Sequence, residues 1–140
     1  MRRIAIVCFA IAGAALVGPT RADDLTGAAR FLCSAGSVST CCDDGQCASG
    51  TAEELFVPQF LDFDLAQKRI STTKASGLAR VSVIDNLKRA NGQIYLQGID
   101  NGRAWSFVIK EKTGELAAAI AGGECSVSAY GSCTPIPASK

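Results

Sequence analysis

The chain contains no histidine. That absence excludes Ser-His-Asp and Cys-His catalysis, histidine-bearing zinc sites and imidazole acid–base chemistry within this chain. A basic excess is missing as well, since fourteen Lys and Arg face thirteen Asp and Glu. Nothing here supplies the positive field by which a nucleic-acid binder attracts phosphate. Sustained helical periodicity, internal repeats and low-complexity tracts are also absent. Aromatics are few and there is a single Trp, so Trp105 is the one indole available to a core or a pocket.

What is present begins with an export signature. "MRRIAIVCFAIAGAALVGPTRADD" places Arg2 and Arg3 before an uncharged apolar stretch over residues 4–18, with Thr20 and Ala22 at the small-residue positions of a processing site. That stretch is short of the roughly 20 residues needed to cross a bilayer. Neither a lipoprotein nor a twin-arginine pattern is completed. The expectation is a cleaved secretory signal over residues 1–22, followed by a single β-rich domain over 23–140 with a short Pro-bearing tail, "TPIPASK". Loss of Arg2, Arg3 and Arg21 leaves eleven basic against thirteen acidic residues, a net charge of −2. No second apolar segment is long enough to span a membrane, and the expected location is the periplasm or the medium.

The signal also carries Cys8, so six cysteines remain: Cys33, Cys41, Cys42, Cys47, Cys125 and Cys133. An even set in a small exported domain reads as a disulfide framework. In an extended segment Cys41 and Cys42 point to opposite faces and need different partners. "CCDDGQC" contains Asp44-Gly45, a tight-turn signal, and a four-residue loop "DDGQ" would set Cys42 against Cys47. The other four are expected to join as Cys33–Cys133 with Cys41–Cys125, or as the swapped pairs.

Along the rest of the chain, apolar residues alternate with a period of two between turn signals. "RFLCS" and "SVSTC" read as two consecutive strands. "TAEEL" carries a Thr51-x-x-Glu54 capping pattern, with room for one helical turn before Pro58. "FLDFDL" sets Leu61, Phe63 and Leu65 against Asp62 and Asp64. "LARVSVI" reads as a strand and "NLKRANG" as a turn containing a helical turn. "QIYLQG", "RAWSFVIK" and "ELAAAIA" are strands, the second placing Trp105, Phe107 and Ile109 on one face, and "CSVSAYGSC" is the last. Such short strands at regular spacing indicate an all-β fold: a small antiparallel up-and-down barrel or sandwich, held by disulfides.

Each chemical motif has a competing reading. "STTK" at Ser71–Lys74 and "KTG" at Lys112–Gly114 match the serine β-lactamase pattern, but β-branched residues surround the first, and no Ser-Asp-Asn stands between them. Asp43, Asp44 and Cys47 lack the ligand spacing of a calcium loop. The same cluster lacks the Cys-x-x-Cys spacing and positive charge that activate a thiolate. Asp62 and Asp64 could serve as a carboxylate pair, yet they also fit the solvated face of a strand beside Lys68 and Arg69. Trp105 and Tyr95 fit either a pocket or a core, with core favoured for Trp105.

The order "CCDDGQC … FDLAQKRIS … GQIYLQGIDNGRAWSFVI … TGELAAAIA … YGSC" resembles small exported β-rich proteins of proteobacteria, mostly uncharacterised. "KASGLARVS" is similar, more weakly, to the inhibitory loop of periplasmic c-type lysozyme inhibitors, with Val81 where those carry an aromatic. The first resemblance implies fold and export, and the second a partner, lysozyme. The expected function is a non-catalytic exported envelope protein, a binding or inhibitor-like module for an envelope protein or small ligand, without a cofactor. Its candidate binding turns are Ser76-Gly77, Asn91-Gly92 and Asn101-Gly102. The alternative is a thiol-dependent redox or stress protein using Cys41, Cys42 or Cys47.

Overall fold

Alternation decides which side chains can share a core, and the computed structural model, which describes residues 24–77 and 79–137, follows it closely. The expected signal, residues 1–22, lies outside the described residues. Ten strands form: β1 (Arg30–Cys42), β2 (Cys47–Gly50), β3 (Phe60–Asp64), β4 (Arg69–Thr72), β5 (Val81–Val83), β6 (Asn86–Ala90), β7 (Gln93–Asp100), β8 (Arg103–Lys110), β9 (Glu115–Ala121) and β10 (Cys125–Pro135). All pair antiparallel in one curled sheet of order β5-β4-β3-β1-β10-β9-β8-β7-β6, with β2 added to the upper half of β1. The expected all-β, partly closed barrel is the fold.

Two-residue hairpins join three consecutive strands, β6, β7 and β8. Asn91-Gly92 and Asn101-Gly102 join β6 to β7 and β7 to β8. All four residues have positive φ, from 50° to 74°, the type I′ geometry that matches strand twist. Inside the sheet, Ile94 and Leu96 of β7 meet Trp105, Phe107 and Ile109 of β8 and Phe31 and Phe63 from β1 and β3. Phe31 stacks on Phe63, and the edge of Phe63 meets Phe107, each with centroids 5.2 Å apart. These rings fill the lower end of the barrel. Leu25, fully buried, plugs that end, its N–H donating to Glu111 O at 2.6 Å. Arg89 braces the plug by pairing with Glu111 at 2.5 Å and donating to Ala28 O.

The two ends of the sheet are brought together by one main-chain bond and two bonds to aspartate side chains. Asp85 N–H donates to Gln97 O, and Asp85 Oδ2 accepts from Ile99 N–H, both at 3.0 Å. Ser82 Oγ donates to Asp100 Oδ2 at 2.6 Å. Gly98 sits at this seam because no larger residue fits. A Cβ there would lie 2.2 Å from the Trp105 ring and 2.7 Å from Val83 O.

Three local expectations are corrected. "RFLCS" and "SVSTC" are one 13-residue strand, bent by an irregularity between Ala35 and Ser37 where β1 pairs with β10. "NLKRA" is strand β6 and not a helical turn, because Leu87 stands opposite Leu96 across the hairpin and packs on the core. The cysteine hairpin is one residue tighter than expected. Gly45, with φ of 80°, closes a three-residue loop in which Cys42 N–H donates to Gln46 O at 2.9 Å and Gly45 N–H to Cys42 O at 3.0 Å. That is the turn-plus-bulge hairpin, and it shifts the register by one.

The shift re-pairs four cysteines. Cys41 is opposite Cys47 and bonded to it, and Cys42 is opposite Cys125 and bonded to that. The expected Cys42–Cys47 and Cys41–Cys125 bridges are therefore incorrect, while Cys33–Cys133 is formed. The opposite-face argument for the adjacent cysteines holds, with the partners Cys47 and Cys125 exchanged between them. Cys42 and Cys125 share the concave face; Cys41 and Cys47 are on the convex one.

Candidate binding cup

The barrel is filled below and open above. The closed end is plugged by Leu25. At the other end, near the cysteine hairpin, the concave face lines a cavity of about 670 Å³. Its wall is apolar because inward positions of four strands, β3, β4, β9 and β10, are small or aliphatic there: Leu61, Ile70, Ala118, Ile120, Val127 and Ala129, with Trp105 and Phe107 of β8 beside them. The alanines create the space. Below, Phe31 of β1, Ile94 of β7 and Ile109 of β8 are fully buried and fill the interior.

A flap covers part of the mouth. Thr51 N–H and Thr51 Oγ1 both donate to Glu54 Oε2, at 2.8 and 3.0 Å, and Glu54 N–H returns a bond to Thr51 Oγ1 at 3.3 Å. This is the expected capping box, and the Thr51 N–H followed by its hydroxyl holds the Glu54 carboxyl below the usual carboxylate range. One turn follows, closed by Leu55 N–H to Thr51 O and Val57 N–H to Ala52 O. Ala52 is buried with Val38 and Ala129, and Leu55 and Val57 pack on them. Phe56, by contrast, is 92% exposed and has φ of 54° on the cavity rim. A bulky residue in that backbone region is strained, and here its ring stands free at the mouth.

Trp105 carries the second unusual feature. Its ring is buried, lies against Phe107 at 5.4 Å between centroids, and forms part of the cavity wall. Its Nε1 is buried and finds no hydrogen-bond partner among the described residues. An unsatisfied buried donor costs about 1–3 kcal/mol. Trp105 is thus both core and wall, whereas Tyr95 is half-buried with its hydroxyl donating to Gln93 Oε1 at 2.7 Å.

The expected binding turns do not converge. Asn101-Gly102 borders the open mouth, and Asn91-Gly92 lies at the plugged end. Ser76-Gly77 is near the mouth, but its hydroxyl is already engaged: Ser76 Oγ accepts from Phe60 N–H at 3.0 Å and donates to Phe60 O at 3.1 Å. Gly77, at φ of 70°, ends a short 3-10 turn over Lys74–Ser76. Spacing within the sequence does not show which ends of the strands face one way; only the topology does.

The other motifs resolve into structural roles. Ser71 lies on β4 and Lys74 near the mouth, while Lys112–Gly114 is the β8–β9 turn at the opposite end. Asp44 Oδ1 accepts from Gln46 N–H at 2.9 Å within the hairpin. Asp62 receives both bonds from Arg30, at 3.0 and 2.6 Å, and not from Lys68 or Arg69. Asp64 Oδ1 accepts from Gln67 N–H at 2.9 Å. Among the described residues no cluster of three metal-ligating side chains occurs and no helix is long and apolar enough to cross a membrane.

Fold and site together define a class: a disulfide-held antiparallel β half-barrel, plugged at one end and carrying an apolar cup at the other. Neither the family models nor the curated proteins compared with the chain match it.

Proposed function

We propose that the protein is a non-catalytic exported binding module whose cup takes an apolar guest. The observation that carries this reading is the cavity of about 670 Å³ with an aliphatic and aromatic wall, a size within the roughly 300–1,000 Å³ range of ligand pockets. Export is supported by the leader over residues 1–22 and by three disulfides, which persist in oxidising compartments. A small guest is favoured over a protein docked on all three turns, because Asn91-Gly92 lies at the opposite end of the barrel from the other two.

Trp105 is the only tryptophan and stands in the cup wall, so its emission reports on this site alone. The test is a titration with the uncharged probe N-phenyl-1-naphthylamine, excited at the indole. Saturable quenching of Trp105, abolished by the cup-filling variant Ala118→Phe at unchanged folding, is the expected result. Unchanged Trp105 emission at saturating probe contradicts the reading.

A second reading, thiol-dependent chemistry at Cys41, Cys42 or Cys47, is favoured by one observation: the Cys41–Cys47 bridge is exposed on the convex face. It requires a reduced cysteine in the protein exported by its own host. Alkylation followed by intact mass decides it, and the binding reading expects all six cysteines blocked.

A further inference from the structure

The mouth of the cup is polar in a particular way. Arg80 and Arg103 stand on it from two sides, the first ahead of β5 and the second at the start of β8. Among the described residues neither guanidinium has a carboxylate partner, whereas Arg30 and Arg89 do. Two carboxylates share the rim. Asp100 is held by Ser82 Oγ at 2.6 Å, and Glu124, on the β9–β10 turn, forms no ion pair with either arginine among the described residues. Two guanidinium groups without an ion-pair partner among the described residues thus share the rim of an apolar opening with two carboxylates, of which Asp100 is engaged by Ser82. Arg is the residue suited to grip a carboxylate or phosphate through paired N–H donors.

The volume sets the size of what lies beneath. At roughly 30 Å³ for each water-sized group, a cavity of about 670 Å³ holds roughly twenty such groups. One hydrocarbon chain of about sixteen carbons with its head group comes within that number, and two chains of that length exceed it. Resting on the binding reading above, we propose that the guest is a single-chain anionic amphiphile, its tail within the cup and its acidic head between Arg80 and Arg103. The shared chemistry is one acyl or alkyl chain bearing a carboxylate or a phosphate. Phe56, exposed at the rim, offers its ring to the chain at the same opening.

The experiment measures how palmitate, hexadecyl phosphate and hexadecanol displace N-phenyl-1-naphthylamine, read as recovery of Trp105 emission, with stoichiometry from native mass spectrometry. Palmitate or hexadecyl phosphate is expected to bind at least tenfold more tightly than hexadecanol, and whichever of the two is tighter identifies the head group. Replacing both Arg80→Gln and Arg103→Gln should remove that advantage and leave hexadecanol unchanged. Lys88→Gln, an exposed cation on β6 away from the cup, should change nothing. Equal binding of all three ligands overturns the anionic assignment while leaving the apolar cup intact, as does an advantage that survives the double variant or is lost equally with Lys88→Gln. No binding by these ligands or by the uncharged probe overturns the binding reading itself.

Discussion

Removing the Cys33–Cys133 bridge and removing the Cys41–Cys47 bridge should have very different costs. The first closes a separation of 100 residues and the second of 6. In the loop-entropy description the cost of closure rises with the logarithm of loop length, giving about 4.7 kcal/mol for the long bridge and about 2.2 kcal/mol for the short one. Burial widens the gap. Cys33 and Cys133 are 1% and 2% exposed in the core, so alanine there also removes packing, whereas Cys41 and Cys47 are exposed. Urea unfolding of Cys33→Ala/Cys133→Ala and of Cys41→Ala/Cys47→Ala, each against the parent, should therefore differ by at least about 2.5 kcal/mol. A total stability of about 5–15 kcal/mol is typical of a domain, so the core variant is expected to be marginal and the hairpin variant well folded. Equal costs, or a larger cost at the hairpin, would refute the assignment of the long bridge as the one that holds the barrel.

Three further outcomes follow from individual contacts. Gly131→Ala should destabilise by about 1–3 kcal/mol or more, because its Cβ would lie 1.9 Å from Ser34 O, a backbone atom beside the irregularity in β1; an unchanged melting temperature would contradict that close approach. Gly98→Ala should displace the indole from the seam and shift Trp105 emission to the red, since the new methyl occupies ring space; unaltered emission would place the ring elsewhere. The Glu54 carboxyl titrates below its ordinary range because Thr51 donates to its charged form. Its contribution is thus complete above the unfolded carboxyl pKa and is lost as pH falls through the lower folded value. Protection against hydrogen exchange at Leu55 and Val57, relative to the intrinsic rate at each pH, should fall only in acid, and Glu54→Gln should remove that dependence; a transition near neutral pH would exclude Glu54 as its origin.

Much of the barrel could be read from alternation and turn chemistry. Asn91-Gly92 and Asn101-Gly102 mark their hairpins because few residue pairs accept two successive positive φ values. Trp105, Phe107 and Ile109 mark their face because a strand has a period of two. What misled were positions where tertiary pairing chooses between local options. "NLKRA" has the composition of a helical turn, but Leu87 gains a cross-strand partner in Leu96 only as a strand. "DDG" and "DDGQ" are both acceptable loops, and a single bulge at Gly45 decides which cysteine faces which. The cup was the least legible feature. It arises where Ala118, Ala129 and their neighbours leave space that Leu and Phe fill lower down, and small residues in a sequence do not distinguish a void from a tight contact. Trp105 was legible as core; its role as cavity wall appears only once β9 and β10 are set beside it.

The most direct test of the account is the emission of Trp105 during titration with N-phenyl-1-naphthylamine, using the exported, disulfide-bonded protein. The account predicts saturable quenching that reaches one probe per chain and disappears in Ala118→Phe. Probe binding that leaves Trp105 untouched, or quenching undiminished by filling the cup, would contradict it.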